Sequence, residues 1–255
     1  MFFGLRKIKM KIAEILKRML VDRYCVICGE PVSYGSKEPV CKVCSKKWSD
    51  FLKIKCKVCG RERYKCSCLP SQVVRINHSI VSWSVFYDHI ENREVNSLFS
   101  ILKHNYDKEV IDFCTELMKR DLILMCKNRN IDYREYAITF APRSRKNIFR
   151  NGFDQSQKLA KALAQKLNVK FVKAIQNVGS EEQKGLNKQE RARNAIESYK
   201  FKENSIKESA KLFLVDDILT SGATLFACSF LLYKNGAKRV VPVVFAKDNY
   251  NFKRS

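Results

Sequence analysis

The run Lys211-Leu212-Phe213-Leu214-Val215-Asp216-Asp217-Ile218-Leu219-Thr220-Ser221-Gly222-Ala223-Thr224 constrains the fold more than any other segment of this 255-residue chain. An apolar strand leads to two adjacent acids, then to a short hydroxyl-rich loop with one glycine, then to a segment, Thr224–Lys234, that reads as a helix. Strand, loop and helix in that order belong to open α/β sheets, where ligands bind beyond the carboxyl ends of the strands. Such a loop can turn its backbone N–H groups onto a phosphate at the helix N-terminus, where the helix dipole favours an anion. Thr220, Ser221 and Thr224 can add hydroxyl donors, and Gly222 lets the backbone come close. Asp216 and Asp217 can accept hydrogen bonds from the vicinal hydroxyls of a ribose.

The surrounding sequence agrees with that fold class. From about residue 134 onward, strand-like and helix-like segments alternate. Ala137–Ala141, Val169–Val172, Lys211–Val215 and Arg239–Phe245 read as strands, and Gln155–Leu167 reads as a helix. Strands separated by helices imply βαβ units and a parallel sheet. Ahead of them, Ile80–Tyr87 is strand-like, and two helical stretches follow near 91–104 and 108–127. The polar stretch 179–210 is long for a simple connection, and loops of that length are usually functional or flexible. The expected organisation is a basic amphipathic helix over 1–22, a cysteine-rich module over 23–70 and an α/β domain over 71–255 with its core at 134–255.

Eight of the eleven cysteines fall between Cys25 and Cys68. They form the pairs Cys25-x2-Cys28, Cys41-x2-Cys44, Cys56-x2-Cys59 and Cys66-x-Cys68. A CxxC turn presents two thiolates on one side of a tight knuckle, and two knuckles complete a tetrahedral four-cysteine zinc site. Gly29 and Gly60 follow the second cysteine of a pair, where such a knuckle needs positive φ. Sequential grouping into two sites is favoured and interleaved ligation remains open, so one or two structural Zn2+ ions are expected. No open coordination position or neighbouring general base is evident, which favours structure over catalysis. Cys114, Cys126 and Cys228 stand alone in apolar segments and read as buried thiols.

The chain carries 49 basic and 26 acidic residues, a formal charge of +23. Four thiolates around each Zn2+ would remove about two positive charges per site and leave the chain strongly basic. That charge points to polyanions: nucleic acid, nucleotides or an anionic membrane surface. Tyr24, Tyr34, Trp48, Phe51 and Tyr64 lie among basic residues in the cysteine module. They either stack on single-stranded nucleic acid or form the core of a small module. In residues 1–22, Leu5, Ile8, Ile12, Ile15, Leu16 and Met19 recur at helical spacing among lysines and arginines. A helix of that kind lies peripherally on a membrane, docks on a partner or packs on its own chain. No secretory signal and no apolar run of roughly 18 residues is present. The expected location is cytoplasmic, where paired cysteines point to metal and not to disulfides.

The run 211–224 resembles the 5-phosphoribosyl 1-pyrophosphate (PRPP) motif of type I phosphoribosyltransferases. The resemblance implies a type I phosphoribosyltransferase-like parallel sheet flanked by helices, preceded by a zinc-ribbon module. It assigns Asp216 and Asp217 to the ribose hydroxyls, and Thr220, Ser221, Gly222, Ala223 and Thr224 to the 5′-phosphate. The cysteine knuckles look like those of the ComF/GntX group of competence-associated proteins. So do Ala141-Pro142-Arg143-Ser144-Arg145-Lys146, Arg150-Asn151-Gly152-Phe153-Asp154-Gln155, Gln183-Lys184-Gly185-Leu186 and Glu190-Arg191-Ala192-Arg193-Asn194-Ala195. The likeness covers most of the chain from Tyr24 onward. It departs at Asn151, where the group usually has Arg, and at Asp154, where it often has Asn. By this resemblance the turn after Ala141 is the pyrophosphate loop, with Arg143, Ser144, Arg145, Lys146 and Arg150. The 183–194 run is then a lid carrying Arg191 and Arg193.

Three functions follow as expectations. The first is a competence-type protein that binds PRPP or a related ribose phosphate with Mg2+ and handles single-stranded DNA beside a DNA translocase helicase during DNA uptake. The second is a catalytic phosphoribosyltransferase, in which a nitrogen nucleophile displaces pyrophosphate from C1 and positioning and electrostatics supply the catalysis. The third is a non-catalytic PRPP sensor or scaffold. No residue names an acceptor base, since His78, His89 and His104 all lie outside the motifs.

Overall fold

The computed structural model describes residues 23–32, 36, 38–88, 93–104, 108–179 and 196–249. The readings made on residues 1–22, on Tyr34 and on the 183–194 run, with Arg191 and Arg193, lie outside those residues. In chain order the helices are α1 (Lys42–Phe51), α2 (Ser71–Asn77), α3 (Arg93–His104), α4 (Lys108–Asn128), α5 (Arg145–Asn151), α6 (Gln155–Leu167) and α7 (Ala223–Lys234). The strands are β1 (Ser82–Tyr87), β2 (Tyr136–Phe140), β3 (Ile175–Asn177), β4 (Tyr199–Phe201), β5 (Lys211–Leu219) and β6 (Arg239–Asp248).

Strands β1, β6, β5 and β2 lie side by side in that order, and every pairing is parallel. Alternate residues of the central strands enter two apolar layers, as the period of two requires. Phe213, Val215, Val241, Val243 and Phe245 meet Met118 and Leu122 of α4 and Leu159 and Leu163 of α6. Leu212, Leu214, Val240 and Val244 meet Val73 of α2 and Leu225, Cys228 and Leu232 of α7. Helices on both faces explain why β5 and β6 read as almost unbroken apolar runs. Cys114, Cys126 and Cys228 are buried, as expected of lone thiols.

Helices α1, α2 and α5 and strands β3 and β4 are additional to the sequence reading, and two expected strands differ from it. The segment 169–172 is no full strand. It contributes one parallel bridge, Phe171 to Ile138, secured by Ile138 N–H to Lys170 O at 2.7 Å and Val172 N–H to Ile138 O at 2.8 Å. Strand β5 does not stop at the acids. It stays in register with β6 through Asp216↔Val244, Ile218↔Ala246 and Leu219↔Lys247. Carboxylates inside a strand are costly to bury without partners, and the partners here come from distant elements that the strand's own sequence does not display.

The cysteine-rich segment shares its packing with the sheet. The Trp48 ring lies 5.3 Å from the rings of Phe51 and of Phe113, and stacks 6.5 Å from Phe245 of β6. Trp48 and Phe51 are therefore core residues, whereas Tyr64 is exposed. Replacing Trp48 by alanine should lower unfolding free energy by about 3–5 kcal/mol, read by urea denaturation of the metal-loaded protein. A loss under about 1 kcal/mol would mean that this segment folds independently of the sheet.

Candidate functional site

The two acids of β5 are almost wholly buried, and each carboxylate is held by partners from other parts of the chain. Ser156, near the start of α6, donates its hydroxyl to Asp216 Oδ1 at 2.8 Å, and the Asp217 N–H donates to the same oxygen at 2.9 Å. The Ile218 N–H donates to Asp217 Oδ1 at 2.8 Å, and the Arg143 guanidinium pairs with Asp217 Oδ2. Arg143 reaches it because β2 is the neighbour of β5. The Ala141 N–H bonds to Val215 O at 2.9 Å, so the turn after β2 lies at the carboxyl end of β5. A third buried carboxylate, Asp154, fixes that turn. It accepts the Arg143 N–H at 2.8 Å and caps α6 through the Gln157 N–H at 3.1 Å.

Three acids and one arginine in so little water perturb one another. Burial pushes the Asp216 carboxyl up, the charge on Asp217 adds to the rise, and Arg143 and Ser156 offset only part of it, so its pKa reaches about 8. Burial also raises Asp154, against the N–H donors of Arg143 and Gln157. Burial works against the charge on Arg143, but Asp217, Asp216 and Asp154 outweigh it and its pKa goes up. The site is thus built to keep one positive charge among carboxyls, one of which holds its proton near neutrality.

The loop Thr220-Ser221-Gly222 connects β5 to α7, and Gly222 is the helix N-cap at φ 80°. Thr220 and Ser221 are exposed, Ala223 and Thr224 half-buried. The Ala223 N–H donates weakly to Ser221 Oγ at 3.4 Å, and Gly222 brings no capping side chain, so the N-terminal amides of α7 face the loop. Gly222 is required twice over: its φ suits glycine, and a Cβ there would lie 2.4 Å from Val73 Cγ2. Beside α7 stands the antiparallel pair of β3 and β4. Burial pushes the Tyr199 hydroxyl up, offset in part by hydrogen bonding with Thr224 and Asn177, and Asn177 Nδ2 donates to Pro142 O at 3.3 Å.

The structure brings together Asp216, Asp217, the 220–224 loop and Arg143. Ser144 caps α5 by accepting the Asn147 N–H at 3.3 Å, while Arg145, Lys146 and Arg150 project outward from that helix. Sequence reasoning missed Ser156 and the capping role of Asp154. Asp154 had a legible signal, an acid one residue before a helical run, but Ser156 had none. It also missed Gln72, whose Nε2 donates to Ser221 O at 2.6 Å.

The cysteines form the two sequential groups, Cys25, Cys28, Cys41 and Cys44, and Cys56, Cys59, Cys66 and Cys68. In each group the four sulfurs lie within 4.8 Å of one another. A tetrahedral zinc thiolate site has sulfurs about 3.8 Å apart for Zn–S bonds of about 2.3 Å, and Cys28 Sγ stands 3.7 Å from Cys41 Sγ. Both groups are therefore of a kind and size that can hold Zn2+. The knuckles repeat one geometry. Gly29 and Gly60 take φ 73° and 67°, and their N–H groups bond back to Cys25 O at 2.9 Å and Cys56 O at 2.8 Å. Burial would raise the Cys25 and Cys56 thiols, but backbone N–H donors from the knuckles outweigh it and bring both to about 7.

No protein-family model matches this sequence, and no curated protein matches it. Among solved structures, the chain is similar to adenine phosphoribosyltransferases. For the enzyme of Thermoanaerobacter pseudethanolicus the TM-score is 0.38 and the identity 15%, over 63% of this chain and 90% of that one. The enzyme of Saccharomyces cerevisiae, solved with a bisphosphate iminoaltritol and adenine, gives 0.36 and 16%, over 59% and 72%. The enzyme of Trypanosoma brucei, solved with AMP, pyrophosphate and ribose-5-phosphate, gives 0.34 and 14%, over 72% and 83%. Among the described residues, no helix is long and apolar enough to cross a membrane.

The raised pKa of Asp216 sets a pH dependence. Unfolded, the carboxyl titrates near its ordinary 3.8, and folded, near 8, so between these values the folded chain holds the extra proton. Stability contributed by Asp216 is complete below the lower value and is lost as pH rises through the upper one. Melting temperatures measured from about pH 5.5 to 8.5 should fall more steeply for wild type than for Asp216→Asn. Parallel curves would mean that this carboxyl is ionised throughout.

Proposed function

We propose that the chain binds PRPP, or a related ribose phosphate, at the end of β5 with Mg2+, and that it handles single-stranded DNA during DNA uptake as a ComF-type competence protein. The observation that carries the first part is the buried pair Asp216 and Asp217 at the start of a hydroxyl-lined loop that opens the N-terminus of α7. The amides and hydroxyls of Thr220, Ser221, Gly222, Ala223 and Thr224 suit a 5′-phosphate. The two carboxyls suit the ribose hydroxyls, and Asp216, protonated near neutrality, can donate as well as accept. Arg143 suits the pyrophosphate, which Mg2+ would help to neutralise, and Ser144, Arg145, Lys146 and Arg150 join it through the sequence resemblance. Arg191 and Arg193 join the proposal through the sequence resemblance alone, as does a DNA translocase helicase partner.

The second part rests on charge and on one side chain. Phe149 on α5 is 92% exposed and is flanked in sequence by Arg145, Lys146 and Arg150. An exposed aromatic ring among cations suits base stacking beside a phosphate backbone. It supports a polynucleotide surface on the helix that follows Arg143.

Calorimetry with PRPP and Mg2+ tests the first part. Wild type should bind, and the double variant Asp216→Asn/Asp217→Asn should lose binding by about tenfold or more while retaining its fold. Absence of binding to folded wild type would overturn the ribose-phosphate reading. For the second part, oligo-dT should bind with an affinity that falls steeply with salt, and Phe149→Ala should cost about 1–3 kcal/mol of it. Equal affinity of Phe149→Ala and wild type would remove α5 from the DNA surface.

A further inference from the structure

The second cysteine group is joined to the phosphate loop by two independent routes. The first runs along the chain. Only Leu69 separates Cys68 from Pro70, and Pro70 opens α2. Pro70 and Val73 press on Gly222: a Cβ at Gly222 would meet Val73 Cγ2 at 2.4 Å and Pro70 Cβ and Cγ at 3.3 Å. Gln72 holds Ser221 O at 2.6 Å, and Asn77 at the far end of α2 donates to Ser229 Oγ of α7 and to Val240 O of β6, both at 3.1 Å. The loop and the start of α7 are thus clamped from one side by a helix tethered to a cysteine.

The second route runs through the sheet. Lys247 of β6 is 1% exposed, and its Nζ lies 4.0 Å from Cys66 Sγ. The same ammonium stands 5.6 Å from the Trp83 ring centre and 5.1 Å from that of Phe86. A lysine this deep needs anionic company, and aromatic faces supply part of it. Four thiolates around Zn2+ carry a net charge of about −2, and Cys66 Sγ brings that charge to within 4.0 Å of the ammonium. Lys247 is also the register partner of Leu219, the residue before Thr220. Two residues on, Asn249 secures the first knuckle of this group from the other side: its Nδ2 donates to Lys55 O at 3.2 Å, and its Oδ1 accepts the Lys57 N–H at 3.0 Å.

We propose that the metal centre formed by Cys56, Cys59, Cys66 and Cys68 positions the phosphate loop, with Lys247 as its buried counter-charge and α2 as the strut. The first group, Cys25, Cys28, Cys41 and Cys44, has no such role. Zn2+ at the second centre fixes Cys68 and Cys66 together, and with them the start of α2 and the end of β6, so the loop between β5 and α7 is held from both sides. An outer-shell partner of this kind tunes metal affinity as well as orienting ligands. The claim concerns the order of the loop and does not depend on which phosphate the loop takes.

Two exposed ligands give clean variants: Cys59→Ser breaks the second centre and Cys28→Ser the first, each without disturbing a buried side chain. Zinc content and amide hydrogen exchange are measured on the full chain. Each variant should lose one of two zinc ions. In Cys59→Ser, exchange over 219–224 should rise by about tenfold or more, while in Cys28→Ser it should match wild type. Unchanged exchange there in Cys59→Ser, or an equal rise in both variants, overturns the proposal. Lys247→Met, close in volume, provides a second measurement should Cys59→Ser not fold: a chelator should withdraw one zinc about 10–100-fold more readily than from wild type, and Lys247→Arg should restore retention. Identical zinc release from Lys247→Met and wild type removes the counter-charge role. If the loop loosens in Cys59→Ser but wild type binds no PRPP, the ribose-phosphate reading fails and the positioning role stands.

Discussion

The ion pair of Arg143 with Asp217 organises the carboxyl end of the sheet. An apolar strand that runs on through two carboxyls needs countercharge and donors at that point, because both groups have left water. One guanidinium, one serine hydroxyl and two backbone amides meet the need. They still leave Asp216 with its proton near neutrality. Everything around the site follows from delivering those partners. The turn after β2 has to bring Arg143 across, Asp154 has to fix that turn, and α6 has to begin where Ser156 meets Asp216.

The cysteine groups answer a different problem. The segment from Cys25 to Cys68 is too short to enclose a sizeable core of its own, and chains of that size usually need metal or disulfides. Here two four-thiol clusters replace much of that core, and the remainder comes from packing Trp48 on Phe113 of α4 and Phe245 of β6. A segment docked in this way can act on the domain it rests upon, and under the proposal above the path from Cys68 through α2 to Gly222 would carry that action.

What the sequence made legible was the part governed by short-range rules. The knuckle spacing gave both cysteine groups and the positive φ of Gly29 and Gly60. The alternation of apolar runs gave the parallel sheet, and Gln155–Leu167 emerged as a helix with the bounds expected. What stayed hidden depends on distant partners. Nothing near Asp216 in sequence announces Ser156 or Arg143 as the groups that let β5 continue. Nothing near Cys66 announces Lys247, which reads as one more surface lysine at the end of a strand until the fold buries it. The bridge at Phe171 was over-read because an apolar run says nothing about whether a neighbouring strand is in reach.

The acid–arginine cluster also suggests how a site this crowded takes in a ligand under the proposed function. Arg143 neutralises Asp217 in the arrangement seen here. A diphosphate offers a guanidinium two anionic groups in a forked geometry, a better partner than one carboxylate. Moving Arg143 from Asp217 to the diphosphate would free that carboxyl for the ribose hydroxyls, while the Arg143 N–H bond to Asp154 keeps the backbone of the turn in place. The exchange replaces the Arg143–Asp217 ion pair by one between Arg143 and the diphosphate, and leaves the Asp217 carboxyl to the ribose hydroxyls and the Ile218 N–H. A ribose phosphate lacking the diphosphate would offer Arg143 nothing in return for Asp217, so the same residues that accept the ligand would favour one that carries the diphosphate.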